Sequence, residues 1–347
     1  MGAGLTRAAP ESRFLSVVVV AYHSGPALQR CLRALREDAP EAEVIVVDNG
    51  AADGEVVEQE RWGRLRLVDP GANLGFAGGA NLGAAEAGDD VLVFLNPDTV
   101  VAPGALRRLV RTLEDPGVGI AMARLRLLDR PELLNSSGTV VHVSGLAWAG
   151  RFGEAAEGIR TLEDISAASG AALAIRRETF RELGGFTAEL FMYQEDVELS
   201  WRAHLHGLRV VVDPGADVYH EYEFGRNPTK IALLERNRLI FVLTAYSPRL
   251  LLLLGPVLAL GELAMLALAA RRRWFRGKLG GWWWLLSHGR WLFRHRRETQ
   301  RLRKVRDREL ARFLTPTLDP RMTPLPRGVG YLNRFLDPYW SLARRAL

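Results

Sequence analysis

Leu15–Ala21 reads L-S-V-V-V-V-A and Glu43–Asp48 reads E-V-I-V-V-D; Val91–Leu95, V-L-V-F-L, is a third run of the same kind. Short, nearly continuous β-branched runs suit strands buried on both faces of a parallel sheet. Helical patterns fall between them, near 26–37 and 78–87. Strand, helix, strand, helix predicts an α/β sheet wound with helices on its faces. In such sheets ligands bind beyond the carboxyl ends of the strands. Polar residues stand there: Ala21, Tyr22, His23 and Ser24 after the first run, Asp48 and Asn49 after the second, and Asn96-Pro97-Asp98-Thr99 after the third. Singly, each Asp reads as a turn or helix cap. Together they form a polar rim where a nucleotide could lie. Residues 73–83, N-L-G-F-A-G-G-A-N-L-G, add Gly75, Gly78 and Gly79, which permit close backbone approach. No G-x-G-x-x-G follows the first run and no phosphate-binding P-loop is present, which argues against a nicotinamide dehydrogenase or an ATPase.

The length of 347 residues suits one large domain with an appendage, or two domains, and 48% hydrophobic residues are ample for a core. Cys31 is the only cysteine, which excludes a disulfide framework and a cysteine metal site and fits a reducing compartment. The apolar run at 15–21 is too short for a secretory signal, and polar residues precede it. Charge is unevenly placed. Residues 271–312 hold 15 Lys and Arg against 3 Asp and Glu, or +12; with +6 overall, the remainder carries −6. A basic block on an acidic body points to an anionic partner, membrane surface or nucleic acid.

Residues 191–202 read F-M-Y-Q-E-D-V-E-L-S-W-R. Glu195, Leu199 and Arg202 repeat at helical spacing, and Glu198 precedes Arg202 by four residues, so a helix should begin near the acids. Its N-terminus would favour an ionised carboxylate, and a carboxylate at the mouth of a cleft suits a general base. Alone, the segment is better read as a surface helix with an acidic first turn, with Arg202 a surface partner of Glu198; the rest of the chain reverses that preference.

From about 15 to 243 the chain resembles a family 2 glycosyltransferase of the GT-A fold, of the single-addition, rhamnosyltransferase-like type found in bacterial cell-envelope polysaccharide assembly. The motifs are V-V-V-A-Y, V-V-D-N, N-L-G-F-A-G-G-A-N, N-P-D-T, S-G-A-A-L-A-I-R-R from Ser169, and G-G-F at 184–186. Y-Q-E-D-V-E-L-S-W-R, Y-H-E-Y-E-F-G-R-N-P from Tyr219, and L-E-R-N-R follow. The resemblance implies a Rossmann-like mixed sheet flanked by helices. It implies a nucleotide-sugar site at Ala21, Tyr22, Asp48, Asn73, Gly79, Asn81, Asn96 and Asp98, with Asp48 accepting from a pyrimidine N–H. Asp98 matches the last acid of the family's D-x-D signature and, with His220, would hold a divalent cation, Mg²⁺ or Mn²⁺, on the donor diphosphate. Asn96 replaces the first acid of that signature, leaving fewer charged ligands. Asp196 matches the catalytic base of an inverting displacement, and Glu195 would shape the acceptor site. The chain departs from the family pattern at His23, Ala51 and Thr187, where Asn, Ser and Asp are usual. The Q-x-x-R-W signature of processive synthases is absent, which favours single-sugar transfer.

Residues 250–270 are almost wholly apolar, broken by Pro256 and Glu262, and long enough to span a bilayer. Residues 280–293 carry Trp282, Trp283, Trp284 and Trp291 beside arginines, the composition of a membrane–water interface. A single span would leave the basic block outside, so an interfacial or re-entrant pair of helices is expected. The expected organisation is a tail at 1–13, a catalytic domain at 14–245, a membrane-associated helical extension at 246–314 and a tail at 315–347. The expected function is transfer of one sugar from a nucleotide-diphosphate donor to a lipid-linked glycan acceptor, on the cytoplasmic face of the membrane and without nucleic acid. A sugar-phosphate nucleotidyltransferase would carry a Gly-rich, Lys/Arg-bearing loop after the first strand, which 22–26 lacks. A non-catalytic basic membrane or nucleic-acid adaptor would account for the C-terminal block but not for the ordered acids.

Overall fold

The computed structural model describes residues 15–50, 52–59, 62–221, 228–272, 274–319 and 329–347. The expected tail at 1–13, Ala51, and most of the E-Y-E-F-G-R-N stretch lie outside the described residues.

In chain order, β1 (Leu15–Ala21), α1 (Gly25–Asp38), β2 (Glu43–Asp48), α2 (Gly54–Gln59), β3 (Leu65–Val68), α3 (Gly75–Glu86) and β4 (Val91–Leu95) form the first half. Then come β5 (Thr99–Val101), α4 (Ala105–Thr112), β6 (Val118–Leu127), β7 (Leu134–Ser136), β8 (Thr139–His142) and β9 (Ala147–Ala149). After these stand β10 (Glu163–Asp164), β11 (Ala172–Arg176), α5 (Arg177–Glu182), α6 (Glu195–Leu205) and β12 (Arg209–His220). The remainder is α7 (Pro228–Ala245), α8 (Pro248–Arg271), α9 (Phe275–Ser287), α10 (Gly289–Arg301), α11 (Asp307–Leu310), β13 (Leu314–Thr315) and α12 (Val329–Arg345).

The main sheet runs β10-β12-β6-β11-β4-β1-β2-β3. β4, β1, β2 and β3 are parallel neighbours, and β11 lies antiparallel between β4 and β6. All residues of β1 and β4 are buried, as their β-branched runs require. The sheet is therefore mixed, as expected. Its parallel half brings the ends of β1, β2 and β4 to one edge.

α3 starts three residues earlier than the sequence pattern suggests, at Gly75. Gly75 takes a left-handed φ of +69°, and Ala77 N–H donates to the Phe191 carbonyl at 3.1 Å. A contact 114 residues away in sequence thus satisfies a donor at the helix start. A Cβ on Gly75 would stand 2.3 Å from that carbonyl oxygen, so only glycine fits.

α6 belongs to two cores. Leu199 and Ala203 pack against the main sheet. Val197, Trp201 and Leu205 pack with Phe241, Tyr246, Leu250, Leu254, Phe313 and Trp340. The helix is buried on both sides rather than lying on the surface. Arg202 and Glu198 are accordingly not a surface pair: they are 4% and 0% exposed and bond at 2.6 Å. The Arg202 guanidinium also donates to the Leu183 and Gly185 carbonyls. Thr187 donates to Glu198 at 2.9 Å, and His295 of α10 stands 3.2 Å from the other oxygen. Burial alone would raise the Glu198 pKa, but the Arg202 charge and the His295 bond outweigh it and hold it at about 2. Because the folded value lies below the ordinary 4.5, this contribution to stability is present above pH 4.5 and is lost as pH falls towards 2. Arg202→Met would leave a buried carboxylate without its main partner. It is expected to cost about 3–5 kcal/mol at neutral pH, read by denaturant unfolding, with a smaller cost near pH 2. Equal stability of variant and parent at pH 7 would remove this pair as the anchor of α6.

The C-terminal region is helical, as expected, but it splits differently. The tryptophan-rich stretch is two helices, α9 and α10, parted at His288. The end of the chain, left unassigned from sequence, contains α12. β13 pairs with β8, so the extension is tied into the body of the protein. α8 is long and apolar enough to cross a membrane. Leu252, Leu260 and Leu263 on it are exposed, as are Trp283, Leu286, Phe293, Phe335 and Leu342 on the neighbouring helices.

Candidate active site

The ends of β1, β2 and β4 meet the segment before α6 at one edge of the sheet. After β1, Tyr22 is 55% exposed, which leaves its ring face open to a ligand. The turn below it is fixed by Asp53, a buried acid that accepts from Ser24 N–H and Gly25 N–H at 2.9 and 2.7 Å. Sequence reasoning did not single out Asp53.

After β2, Asp48 is buried and accepts from the N–H groups of Gly50, Ala52 and Asp53 at 3.1, 3.4 and 3.0 Å. Its carboxylate shapes the following turn. Asn49 donates to the Gly75 carbonyl at 2.9 Å, tying β2 to the start of α3. Asn73 is exposed and accepts from Gly75 N–H at 2.8 Å, a local turn. Gly79 lies against β1, where a Cβ would come within 2.9 Å of Val20. Asn81 bonds both backbone groups of Phe186, at 2.7 and 2.9 Å, and so holds the G-G-F turn. The structure brings Ala21, Tyr22, Asp48, Asn73 and Gly79 to one edge, while the Asn81 amide is taken up by that turn.

After β4, Asn96 N–H donates to the Ala171 carbonyl at 3.0 Å, which joins this strand end to the Ser169–Ala171 turn. Asp98 follows. Its Oδ1 is buried and makes no hydrogen bond, although His220 Nε2, from the end of β12, stands 3.3 Å away. The Nδ1 of His220 faces Asn135 Oδ1 at 3.0 Å. The His220 imidazole and the Asp98 carboxylate thus face each other, and both are ligand types for a cation. They are only two, and no cluster of three or more His, Cys, Asp or Glu occurs among the described residues. The pair therefore fits a hard cation that takes most of its ligands from phosphate and water.

The acids of 191–202 approach from the other side. Asp196, half-buried, accepts from Gly170 N–H at 2.9 Å and Val197 N–H at 2.7 Å. Glu195 is buried beside it, and its Oε2 has no hydrogen-bond partner. The helix start was expected to favour ionisation, but the direction is the opposite. Burial pushes both carboxyls up, and the negative charge of Asp196 adds to the rise at Glu195. Desolvation outweighs the helix terminus here. The two backbone donors on Asp196 oppose that rise, so Glu195 holds its proton more tightly than Asp196 does. The turn that delivers them is itself unusual: Phe191, Tyr193 and Gln194 have left-handed φ of 64°, 73° and 69°. Non-glycine residues in that region mark functional strain.

Residues 16–184 match the family described as Glycosyl transferase family 2. The chain is 29% identical to the N-acetylglucosaminyl-diphospho-decaprenol L-rhamnosyltransferase of Mycobacterium tuberculosis, over 67% of this chain and 85% of that protein. Among solved structures it resembles GalNAc-T7 with UDP, GalNAc and Mn²⁺, with a TM-score of 0.57 and 20% identity over 67% of this chain and 48% of that one. It also resembles S. aureus TarS in complex with UDP-GlcNAc, with a TM-score of 0.51 and 13% identity over 96% of this chain and 91% of that one. With the mixed sheet and its strand-end rim, these likenesses identify a glycosyltransferase of the GT-A fold whose residues 16–184 match the model of glycosyltransferase family 2.

Proposed function

We propose that the protein transfers a single sugar from a nucleoside-diphosphate donor to the hydroxyl of a lipid-linked glycan, with inversion at the anomeric carbon. The observation that carries this reading is the Asp196 carboxylate, held by Val197 N–H of its own helix and by Gly170 N–H of the turn that Asn96, two residues before Asp98, also bonds. Asp196 accepts the proton of the acceptor hydroxyl as its oxygen forms the new bond to the anomeric carbon and the donor's diphosphate departs with the bonding pair. Glu195, protonated, adds no second negative charge beside the acceptor. Tyr22 offers a face to the nucleobase, with Asp48 and Asn73 shaping the turns around it. Asp98 and His220 would hold a divalent cation, Mg²⁺ or Mn²⁺, which when bound supplies positive charge to the leaving diphosphate.

The acceptor reading draws on the mycobacterial relative, whose name specifies a decaprenyl-diphosphate-linked substrate. L-rhamnose is accordingly the first sugar to test. The exposed apolar residues of α8, α9, α10 and α12 support contact with a lipid surface, with the basic block of α10 beside them. Glu262, midway along α8, is bonded to Arg238 of α7 and, at 2.9 Å, to Lys278 of α9. A helix tied at its middle to the catalytic body supports an interfacial position rather than a span, with the body on the cytoplasmic face.

The test incubates the full chain with a panel of nucleotide sugars and vesicles containing a polyprenyl-diphosphate-linked sugar. Nucleoside diphosphate release and flotation with the vesicles are followed. Release with one donor, dependent on acceptor, is expected together with co-flotation. Turnover without flotation would remove the membrane reading, and no release with any donor would remove the proposed reaction.

A further inference from the structure

The left-handed turn before the acids takes one bond from α3, Ala77 N–H to the Phe191 carbonyl, and a cluster of bonds from α7. Asn237 of α7 is fully buried, and its Nδ2 lies 2.9, 3.0 and 2.7 Å from the carbonyl oxygens of Leu190, Met192 and Tyr193. Two amide hydrogens serve three carbonyls, all within the five residues preceding Glu195. Arg236 adds bonds to the Glu189 and Leu190 carbonyls at 2.9 and 3.1 Å and donates to Asn237 Oδ1 at 3.0 Å, which orients the amide. α7 is fixed in turn by buried Glu235, which Arg238 and Lys278 bond at 3.0 and 2.7 Å.

We infer that Asn237 is a positioning residue for sugar transfer: its carboxamide holds the turn 190–194 in the conformation that aims the Asp196 carboxylate. The inference rests on the reading of Asp196 as the base. The turn has no glycine, so its three left-handed residues revert to ordinary conformations unless an external group compensates them. The body of α6 has its own anchors in two cores and in Arg202. Loss of the Asn237 amide therefore frees the turn without freeing the helix. The carboxylate is then no longer aimed by the turn, and its bonds to Gly170 and Val197 weaken.

The test compares the full-length parent with Asn237→Asp, which keeps the size and removes both donors, and with Asn237→Ala. Single-turnover rate, donor affinity, thermal unfolding and the pH dependence of the rate are read on each, and each change is combined with Asp196→Asn. The single-turnover rate is expected to fall by about 10–10²-fold, the scale of a displacement near 1 Å at the reacting group. Donor affinity should stay near that of the parent, and the acid limb of the pH profile should move to higher pH as Asp196 loses its backbone donors. In the Asp196→Asn background the Asn237 changes should cost nothing further. A parent-like rate in both Asn237 variants overturns the inference. So does loss of donor affinity in step with the rate, or a loss in the double variants equal to the product of the single ones. A normal rate in Asp196→Asn alone would remove the base itself, whatever the Asn237 variants do.

Discussion

Asp196→Asn is expected to lower the single-turnover rate by about 10²–10⁴-fold, the usual scale for loss of a general base, while donor affinity stays near that of the parent. The side chain keeps its size, and its Oδ atom can still accept from Gly170 N–H. What it loses is the capacity to take a proton. If Asp196 merely caps α6, asparagine caps almost as well and the rate should be normal. The pH dependence provides a second reading. Burial raises the Asp196 pKa above the ordinary 3.8, and only the ionised form acts as base. The rate should therefore fall as pH drops through a value above 3.8, with the backbone donors of Gly170 and Val197 opposing that rise. Glu195→Gln is the matched control. It replaces a neighbour that holds its proton beside Asp196, so it should leave the acid limb nearly in place, with a smaller loss of rate. A much larger loss in Glu195→Gln than in Asp196→Asn would transfer the role of base to Glu195.

How far the site is legible in sequence depends on the range of the contacts that build it. β1, β2 and β4 announce themselves by unbroken β-branched runs, and their polar ends name the rim. β3 carries no such run: Leu65 and Val68 are half-buried, and the two residues between them are exposed. It forms because β2 offers a parallel edge. The start of α3 was misplaced because the Phe191 carbonyl that satisfies it belongs to another part of the chain. Asn237 reads in sequence as one polar residue in E-R-N-R, and nothing in helical spacing links it to a turn 44 to 47 residues earlier. Glu198–Arg202 was legible as a pair because it is local. Its burial was not, since that depends on α10 and the second core. The raised pKa of Asp196 follows the same logic. A helix-start rule sees the neighbouring N–H groups, whereas desolvation is set by elements that arrive from elsewhere.

Asp98→Ala is expected to reduce transfer by about 10³-fold or more, which corresponds to several kcal/mol of stabilisation at the departing diphosphate. The structural reason is the scarcity of charge at this point. Asn96 stands where a first acid would be, and among the described residues the Asp98 carboxylate is the acid that faces His220. Removing it leaves an imidazole as the sole protein ligand from this pair, and a hard cation favours oxygen. The variant should fold, because what Asp98→Ala removes is one partly exposed pair with His220. Its effect should appear first in binding. Calorimetric titration of nucleoside diphosphate should show a gain in affinity on adding Mn²⁺ with the parent and none with Asp98→Ala, while affinity without the ion is alike in both. His220→Gln, which keeps the carboxylate, should lose less of the Mn²⁺-dependent gain. Should Asp98→Ala turn over at the parent rate, or retain the full Mn²⁺ effect on binding, the cation would have to be held elsewhere. The facing of Asp98 Oδ1 and His220 Nε2 would then need another explanation, such as a proton shared between them that ties β12 to the end of β4.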